Sequence, residues 1–155
     1  GGIGDELRLP LEQTAQALVE LVQCLHQRQH LARQTAIRQR LQVVAENVAN
    51  AESTASTPGG DPYRRKTISF EELLDRDSGV TMVRVSEIGR DETPFTLRHD
   101  PSHPAADENG FIKVSNVSPI LEMANTRAAS RSYEANMNLY EAGRKMRSQM
   151  IDLLK

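Results

Sequence analysis

The sequence predicts a mostly α-helical protein with a small β-rich insert, in which long N- and C-terminal helices pair as an antiparallel coiled coil. Glycine and proline break helices and mark turns. Neither occurs in residues 11–57, and Gly143 is the only one in residues 120–155. Six of the seven prolines lie instead in residues 58–119. Apolar residues in both end regions recur at steps of three and four, the spacing of one helix face. The chain thus divides into three segments: an N-terminal helical segment, residues 1–51; a turn- and strand-rich middle segment, residues 52–117; and a C-terminal helix that pairs with the first, residues 118–155.

Length, charge and cysteine content exclude several classes of protein. The 155 residues include 19 basic and 21 acidic side chains, so the net charge near −2 argues against a generally basic nucleic-acid binder. A single cysteine excludes a disulfide framework and a cysteine-rich zinc site. No apolar run approaches about 18 residues, so no membrane span is expected. The first ten residues lack a basic region followed by an apolar stretch, so we expect no ordinary secretory signal.

The N-terminal segment predicts a helix over residues 11–49 with two heptad-like stretches. The apolar positions are Leu11, Ala15, Leu18, Val22 and Leu25, then Ile37, Leu41, Val44, Val48 and Ala51. Polar residues 26–30 lie between the stretches and shift the register. The helix therefore either continues with a stutter or breaks in two, and we favour one helix with a bend near residues 26–34.

The C-terminal helix is predicted to begin at Ser118 and Pro119, since serine is a good N-cap and proline suits the first helical position. Glu122 then lies in the first turn, where it favours the helix dipole. A narrow apolar stripe, the pattern of a coiled-coil seam, continues to the end of the chain. Its members are Leu121, Ala124, Ala128, Ser132, Ala135, Leu139, Ala142, Met146, Met150 and Leu153. Because the middle segment is small, both helices must pair with each other, with other chains, or with both.

The middle segment predicts short strands separated by turns. Residues 80–88 are rich in β-branched side chains, and residues 94–98 and 111–114 alternate apolar and polar side chains. Residues 57–62 and 107–110 carry the glycine, proline, asparagine and aspartate typical of turns.

A metal site is the first alternative that the middle segment suggests. His99 and His103 are four residues apart, and Asp107 could add an oxygen ligand. Pro101 and Pro104 forbid the regular helix that such a histidine pair needs. A turn with solvated histidines is therefore favoured over a small metal-dependent enzyme.

Three other features are interpreted structurally. Tyr63, Arg64 and Arg65 begin the only basic cluster, which we interpret as structural or as part of an interface rather than as a nucleic-acid contact. Asn47 and Asn50 predict either a helix stop or a polar contact surface before the turn. The lone Cys24 is expected to be a buried or seam thiol. No nucleophile motif, phosphate loop or paired carboxylate is recognisable, so we predict no catalytic residue, no cofactor and no metal.

Four stretches of the chain carry a resemblance to known proteins. They read ENVANAEST in residues 46–54, TPGGDPYRRK in residues 57–66, HDPSHPAADENG in residues 99–110 and SRSYEAN in residues 130–136. In this order they resemble the FlgC family of proximal rod proteins of the bacterial flagellar basal body. The resemblance covers residues 44–155, whereas the longer N-terminal helix departs from the family, whose members begin closer to the first stretch.

The resemblance implies a non-enzymatic structural subunit that assembles helically into the proximal rod, the drive shaft that transmits torque. It also implies export by the flagellar type III apparatus without a cleaved signal, and a position in the periplasmic rod of the basal body. The implied partners are other copies, the other proximal and distal rod proteins, the membrane-ring adaptor and the surrounding rings, with no nucleic acid. The sister proximal rod protein FlgB, or another axial flagellar protein, is the alternative.

Helix pattern and resemblance together place an assembly interface on fourteen residues of the chain. They are Asn47, Asn50, Tyr63, Arg64, Arg65, Leu121, Ala128, Tyr133, Glu134, Ala135, Asn136, Leu139, Met146 and Leu153.

Overall fold

The structure, a computed structural model, describes residues 11–153 and has two long terminal helices with two small antiparallel sheets between them. The elements in chain order are α1 Leu11–Ala49, β1 Lys66–Asp75, β2 Val80–Arg90, β3 Thr96–His99, β4 Phe111–Val114 and α2 Pro119–Leu153. This confirms the predicted fold class. Residues 1–10 of the predicted N-terminal segment, and residues 154 and 155 of the predicted C-terminal helix, lie outside the described residues.

Helix α1 is one continuous helix of 39 residues, about 58 Å long at 1.5 Å per residue. The polar residues 26–30 do not divide it, because they contain neither glycine nor proline. The helix stops where the sequence predicts. The backbone N–H of Asn50 donates to the carbonyl of Glu46 at 3.2 Å, and the Asn50 side-chain amide donates to the same oxygen at 2.8 Å.

Helix α2 begins at Pro119, and the Ser118 hydroxyl accepts a long 3.5 Å bond from the backbone N–H of Leu121. It then runs antiparallel to α1. Asn47 of α1 contacts Glu122 of α2 near one end, and His26 lies against Gly143 nearer the other. Asn47 and His26 are 21 residues apart, as are Glu122 and Gly143. Three heptads on each helix thus stay in register, which is the geometry of an antiparallel coiled coil.

Strands β1 and β2 form a hairpin that lies along α1. Their register runs from Lys66 opposite Arg90 to Asp75 opposite Val80, with an irregularity between Ser69 and Phe70. On α1, the Gln29 amide donates to the carbonyl of Thr81 at 3.2 Å, and Arg28 lies 3.6 Å from the Asp75 carboxylate. Strand β2 was predicted, but β1 was not, although residues 67–70 alternate polar and apolar side chains before two acidic residues and two leucines break the pattern.

Strands β3 and β4 form a second small sheet near the end of the helix pair that holds Asn47 and Glu122. They pair from Thr96 opposite Val114 to His99 opposite Phe111, and Thr54 bridges to Val114 from the segment after α1. Both strands were predicted. Most of the buried apolar side chains among the described residues gather at this end of the molecule: Val43, Val44, Ala51, Ala105, Ile112 and Val117; Ala36 and Ala129 are buried farther along the helix pair.

Candidate assembly interface

A cluster of polar side chains joins both helices to the start of β1. Asn47 is only 1% exposed. Its amide nitrogen donates to the carbonyl of Lys66 at 2.9 Å and to the Glu122 carboxylate at 3.3 Å. Its amide oxygen accepts from the Tyr63 hydroxyl and from the backbone N–H of Lys66, both at 2.9 Å. All four hydrogen bonds that an asparagine amide can make are therefore formed within the chain.

Glu122 is fully buried, and Arg65 neutralises it. The Arg65 Nε donates to the carboxylate at 2.7 Å, and its Nη1 lies 3.3 Å from the carboxylate of Asp91. A buried charge is costly unless it is paired and hydrogen-bonded. We call Asn47, Tyr63, Arg65, Asp91 and Glu122 the polar junction.

Asn116 completes the support behind Arg65. Its amide oxygen accepts from the Arg65 backbone N–H at 2.7 Å, and its nitrogen donates to the carbonyls of Asp91 and Thr93 at 3.1 and 3.0 Å. The pKa of the Asp91 carboxyl is lowered mainly by hydrogen bonds from Thr93 and, to a smaller extent, by the hydrogen bond and charge of Arg65. The guanidinium of Arg65 is thus fixed between two carboxylates before α2 begins.

Charged groups at the rim of the polar junction reinforce it. Lys66 lies 2.5 Å from the Glu46 carboxylate. This bond lowers the pKa of Glu46 and raises the pKa of Lys66. Burial raises the pKa of the Tyr63 phenol. Every side chain of the polar junction has a partner within the chain, so its arrangement fixes the middle segment to the helix pair.

The residues of the metal alternative contact their own neighbours in the second small sheet and its turns instead, and His99 lies at the end of β3 rather than in the predicted turn. The Nδ1 of His103 accepts from the Ala105 backbone N–H at 3.0 Å, and His99 packs edge-on against Phe111. The Asp107 carboxylate accepts from backbone N–H groups, including that of Phe111 at 2.8 Å. Across residues 11–153, no group of three or more histidine, cysteine or acidic side chains is placed to hold a metal ion.

The seam between the helices carries aromatic and polar side chains. The His30 ring stacks on Tyr140 of α2 with centroids 4.1 Å apart, and the His26 ring is 6.2 Å from the same tyrosine. Gly143 leaves room for His26, since a Cβ there would lie 3.0 Å from the His26 Nε2. The amide of Gln34 donates to the Tyr133 hydroxyl at 3.2 Å. Polar and small residues, rather than aliphatic ones, therefore fill this part of the seam.

The apolar stripe that the sequence predicts on α2 lies on a different face. Leu139 is 54% exposed, Met146 64% and Leu153 86%. The buried residues of α2 are instead Glu122, Ala129 and Asn136. The helix pair thus leaves the stripe open. Neither helix, over the residues described, combines the length and apolarity that crossing a membrane requires.

The fourteen residues predicted for the interface fall into three groups. Five make contacts or are buried inside the chain: Asn47, Tyr63, Arg65, Tyr133 and Asn136. Two support the turns, since Asn50 caps α1 and Arg64 lies over the Phe95 ring, 4.2 Å from its centroid. Seven lie exposed on α2: Leu121, Ala128, Glu134, Ala135, Leu139, Met146 and Leu153. The expected burial of Cys24 is wrong, because its side chain is exposed.

Sequence reasoning did not identify Glu122, Asp91 and Asn116 as members of this site. The sequence does contain one pattern that marks the face of α2 that meets α1. Glu122, Ala129, Asn136 and Gly143 recur every seven residues, a heptad of small and polar side chains that a search for hydrophobic residues passes over.

Comparison with known proteins gives a consistent set of relatives. Residues 108–153 match the family described as flagellar basal body rod FlgEFG protein C-terminal. The flagellar basal-body rod protein FlgC of Agrobacterium fabrum is 50% identical over 116 residues, which cover 75% of this chain and 84% of that protein. FlgC of an Escherichia coli O6:H1 strain is 37% identical, over 77% and 88% of the two chains. FlgC of Borreliella burgdorferi is 34% identical, over 78% and 90%.

Proposed function

Since the chain belongs to the FlgC family and is a structural subunit of the flagellar basal-body rod, we propose that it assembles helically through the exposed stripe of α2 in the proximal part of that rod. There it helps to form the drive shaft that transmits torque. It works without catalysis, cofactor or metal.

The observation that carries this proposal is the exposure of the apolar stripe while α2 is already paired with α1. Full burial of one leucine or methionine side chain contributes about 1.5–3 kcal/mol. Leu121, Leu139 and Met146 are each more than half exposed, so neighbouring subunits can gain roughly half of this free energy at each of these side chains. The seven-residue repeat of Glu122, Ala129, Asn136 and Gly143 faces α1 and keeps the helix pair together. The stripe, on another face, can therefore bind a neighbouring subunit.

The polar junction gives the proposed subunit its stiffness. Its hydrogen bonds and ion pairs connect α1 at Asn47, the strand start at Lys66 and α2 at Glu122. A load applied to the middle segment therefore passes into both helices. The stripe and the surface that receives it are proposed to be different parts of the chain, and a contact of this kind gives an open helical filament when its rotation does not close a ring.

The proposed partners are other copies of the chain, the other proximal and distal rod proteins, the membrane-ring adaptor and the surrounding rings. The proposed location is the periplasmic rod, reached through the flagellar type III apparatus without a cleaved signal. With Cys24 as the single cysteine, the chain can form no internal disulfide in that oxidising compartment.

A matched pair of variants tests the stripe. Leu139→Glu places a charge on it, whereas Asn138→Glu places the same charge at a neighbouring exposed position outside it. In a strain lacking the native gene, we expect Leu139→Glu to abolish swimming and to leave little of the chain in purified basal bodies, while Asn138→Glu supports both. Equal incorporation of the two variants would refute the proposed role of the stripe.

A further inference from the structure

An open groove lies between α2 and the β1–β2 hairpin, with α1 as its floor. Its volume is about 400 Å³. Ala135 and Leu139 of the α2 stripe form one wall, Phe70 and Val83 form the other, and Ile37 of α1 lies on the floor. The stripe therefore borders a concave apolar surface, which can receive a protruding segment as well as a flat helix face.

Two arginines of α1 give this groove a positive charge. Arg33 and Arg40 both line it. Within residues 11–153, neither side chain takes part in an ion pair. Since arginine pairs readily with carboxylates, the groove suits a segment that combines leucine-sized side chains with acidic ones.

The end of the hairpin is a segment of this kind. Leu73 and Leu74 are exposed, Leu74 by 57%. Glu72 precedes them and Asp77 lies in the turn, and among the described residues neither carboxylate forms an ion pair. Residues 72–77 hold three acidic side chains and one basic one, Arg76, so their net charge is −2. Apolar shape and opposite net charge thus match the hairpin end to the groove.

We propose that the hairpin end of one subunit, residues 72–77, docks into the groove of a second copy of this chain. Leu73 and Leu74 then pack against the apolar walls while Glu72 and Asp77 face the two arginines. The contact is head-to-tail, and such a contact continues from copy to copy in an open helix when its rotation does not close a ring. It rests on the rod assembly proposed above, which it makes specific.

Cross-linking of two single-cysteine chains tests the contact. Both carry Cys24→Ser; one carries Leu74→Cys, and the other, with an affinity tag, carries Ser132→Cys, a position that lines the groove. Both are expressed in swimming cells that lack the native gene, and basal bodies are treated with an oxidant. We expect a dimer with one chain of each kind, and none when Asn138→Cys replaces Ser132→Cys.

Incorporation of both chains without that dimer overturns this contact but leaves the proposed rod function intact. A cross-link from Leu74→Cys to a different rod protein overturns it too, since the occupant would not be a second copy. Failure of both chains to enter any basal body would instead count against the rod function.

An exchange of charges gives a second measurement that does not depend on cysteines. We expect Arg40→Glu to lower the amount of chain in basal bodies about tenfold, the scale of one interfacial charge pair. Adding Glu72→Arg to the same chain should restore most of it. Circular dichroism of the purified variants verifies that α1 and α2 still form. Wild-type incorporation of Arg40→Glu, or no recovery in the double variant, would overturn the contact.

Discussion

Asn47 of α1 donates a hydrogen bond of 3.3 Å to the buried carboxylate of Glu122 in α2, and Arg65 binds the other oxygen of that carboxylate at 2.7 Å. The three residues come from α1, from α2 and from the segment just before β1. Because Glu122 is fully buried, its charge depends on these two partners, and its loss would leave Arg65 without its closest carboxylate.

Removal of the Glu122 carboxylate is therefore expected to destabilise the fold strongly. Breaking a buried ion pair by removing one partner costs about 3–5 kcal/mol, and we expect the lower end because Arg65 keeps Asp91. The free energy of unfolding in urea, followed by circular dichroism, measures this for Glu122→Ala. Glu134→Ala on the exposed face of α2 is the matched control and should change little. Equal stability of the two variants would show that the polar junction contributes nothing.

Acidic pH is expected to weaken the fold through Asp91. Its pKa lies below the ordinary value of 3.8, because Thr93 and Arg65 favour the charged form. For a group with a lowered folded-state pKa, the stabilisation is complete above the unfolded-state value and is lost as the pH falls through the folded-state value. Melting temperatures between pH 6 and 2 should therefore fall less steeply in Asp91→Asn than in the wild type. Glu92→Gln, at the exposed neighbouring position, should keep the wild-type slope, and an unchanged slope in Asp91→Asn would contradict this origin of the pH dependence.

Gly143 should not accept a large side chain while His26 is present. A Cβ there already lies 3.0 Å from the His26 ring, and overpacking a filled site typically costs about 1–3 kcal/mol. We expect Gly143→Leu to lower the melting temperature of the isolated chain, and His26→Ala to recover part of the loss in the same chain. Ala142→Leu, next to it on the exposed stripe, should leave the melting temperature of the isolated chain near the wild-type value. If the change in melting temperature of the double variant equalled the sum of the changes in the two single variants, the contact between Gly143 and His26 would be refuted.

Helix stability in the isolated chain is expected to be uneven. Leu18, Leu21 and Val22 of α1 are each more than half exposed, whereas Val43, Val44 and Asn47 are buried. Segments with few buried contacts open locally. Hydrogen exchange should therefore be fast in residues 14–25 and slow in residues 36–49, and assembly should slow the first of these. Uniform protection along α1 of the isolated chain would contradict this.

The C-terminal end of α1 and the start of α2 could be predicted because single residues determine them. Asn50 supplies a side-chain donor for the last turn of α1, and Pro119 follows a serine cap at the start of α2. The sequence left open whether α1 continues or breaks in two and favoured one helix, and that choice is confirmed by the single helix of residues 11–49, which holds no glycine or proline. These are local effects, which a single sequence contains.

The face of α2 that meets α1 could not be predicted in the same way. Hydrophobic spacing identifies the surface that gains most from burial, here the stripe through Leu139, but it does not show which chain provides the cover. The pairing face is recognisable only as the heptad of Glu122, Ala129, Asn136 and Gly143, whose burial depends on partners distant in sequence. Glu122 illustrates the reason, because its partner Arg65 is 57 residues away in the sequence. A pattern of neighbouring residues cannot predict a pair so far apart. Strand β1 was missed on a different ground, since residues 67–70 alternate polar and apolar side chains but the two acidic residues and two leucines that follow break the pattern.

The accessibility of Leu139 in the assembled rod tests the central claim, that the stripe exposed in the single subunit is covered by its neighbours. In a chain with Cys24→Ser and Leu139→Cys, a maleimide reagent reports whether the thiol is reachable, and denatured samples give the total thiol. We predict fast labelling of the isolated chain and little labelling in intact basal bodies that contain the variant. Labelling of the intact basal bodies as fast as that of the isolated chain would contradict the claim.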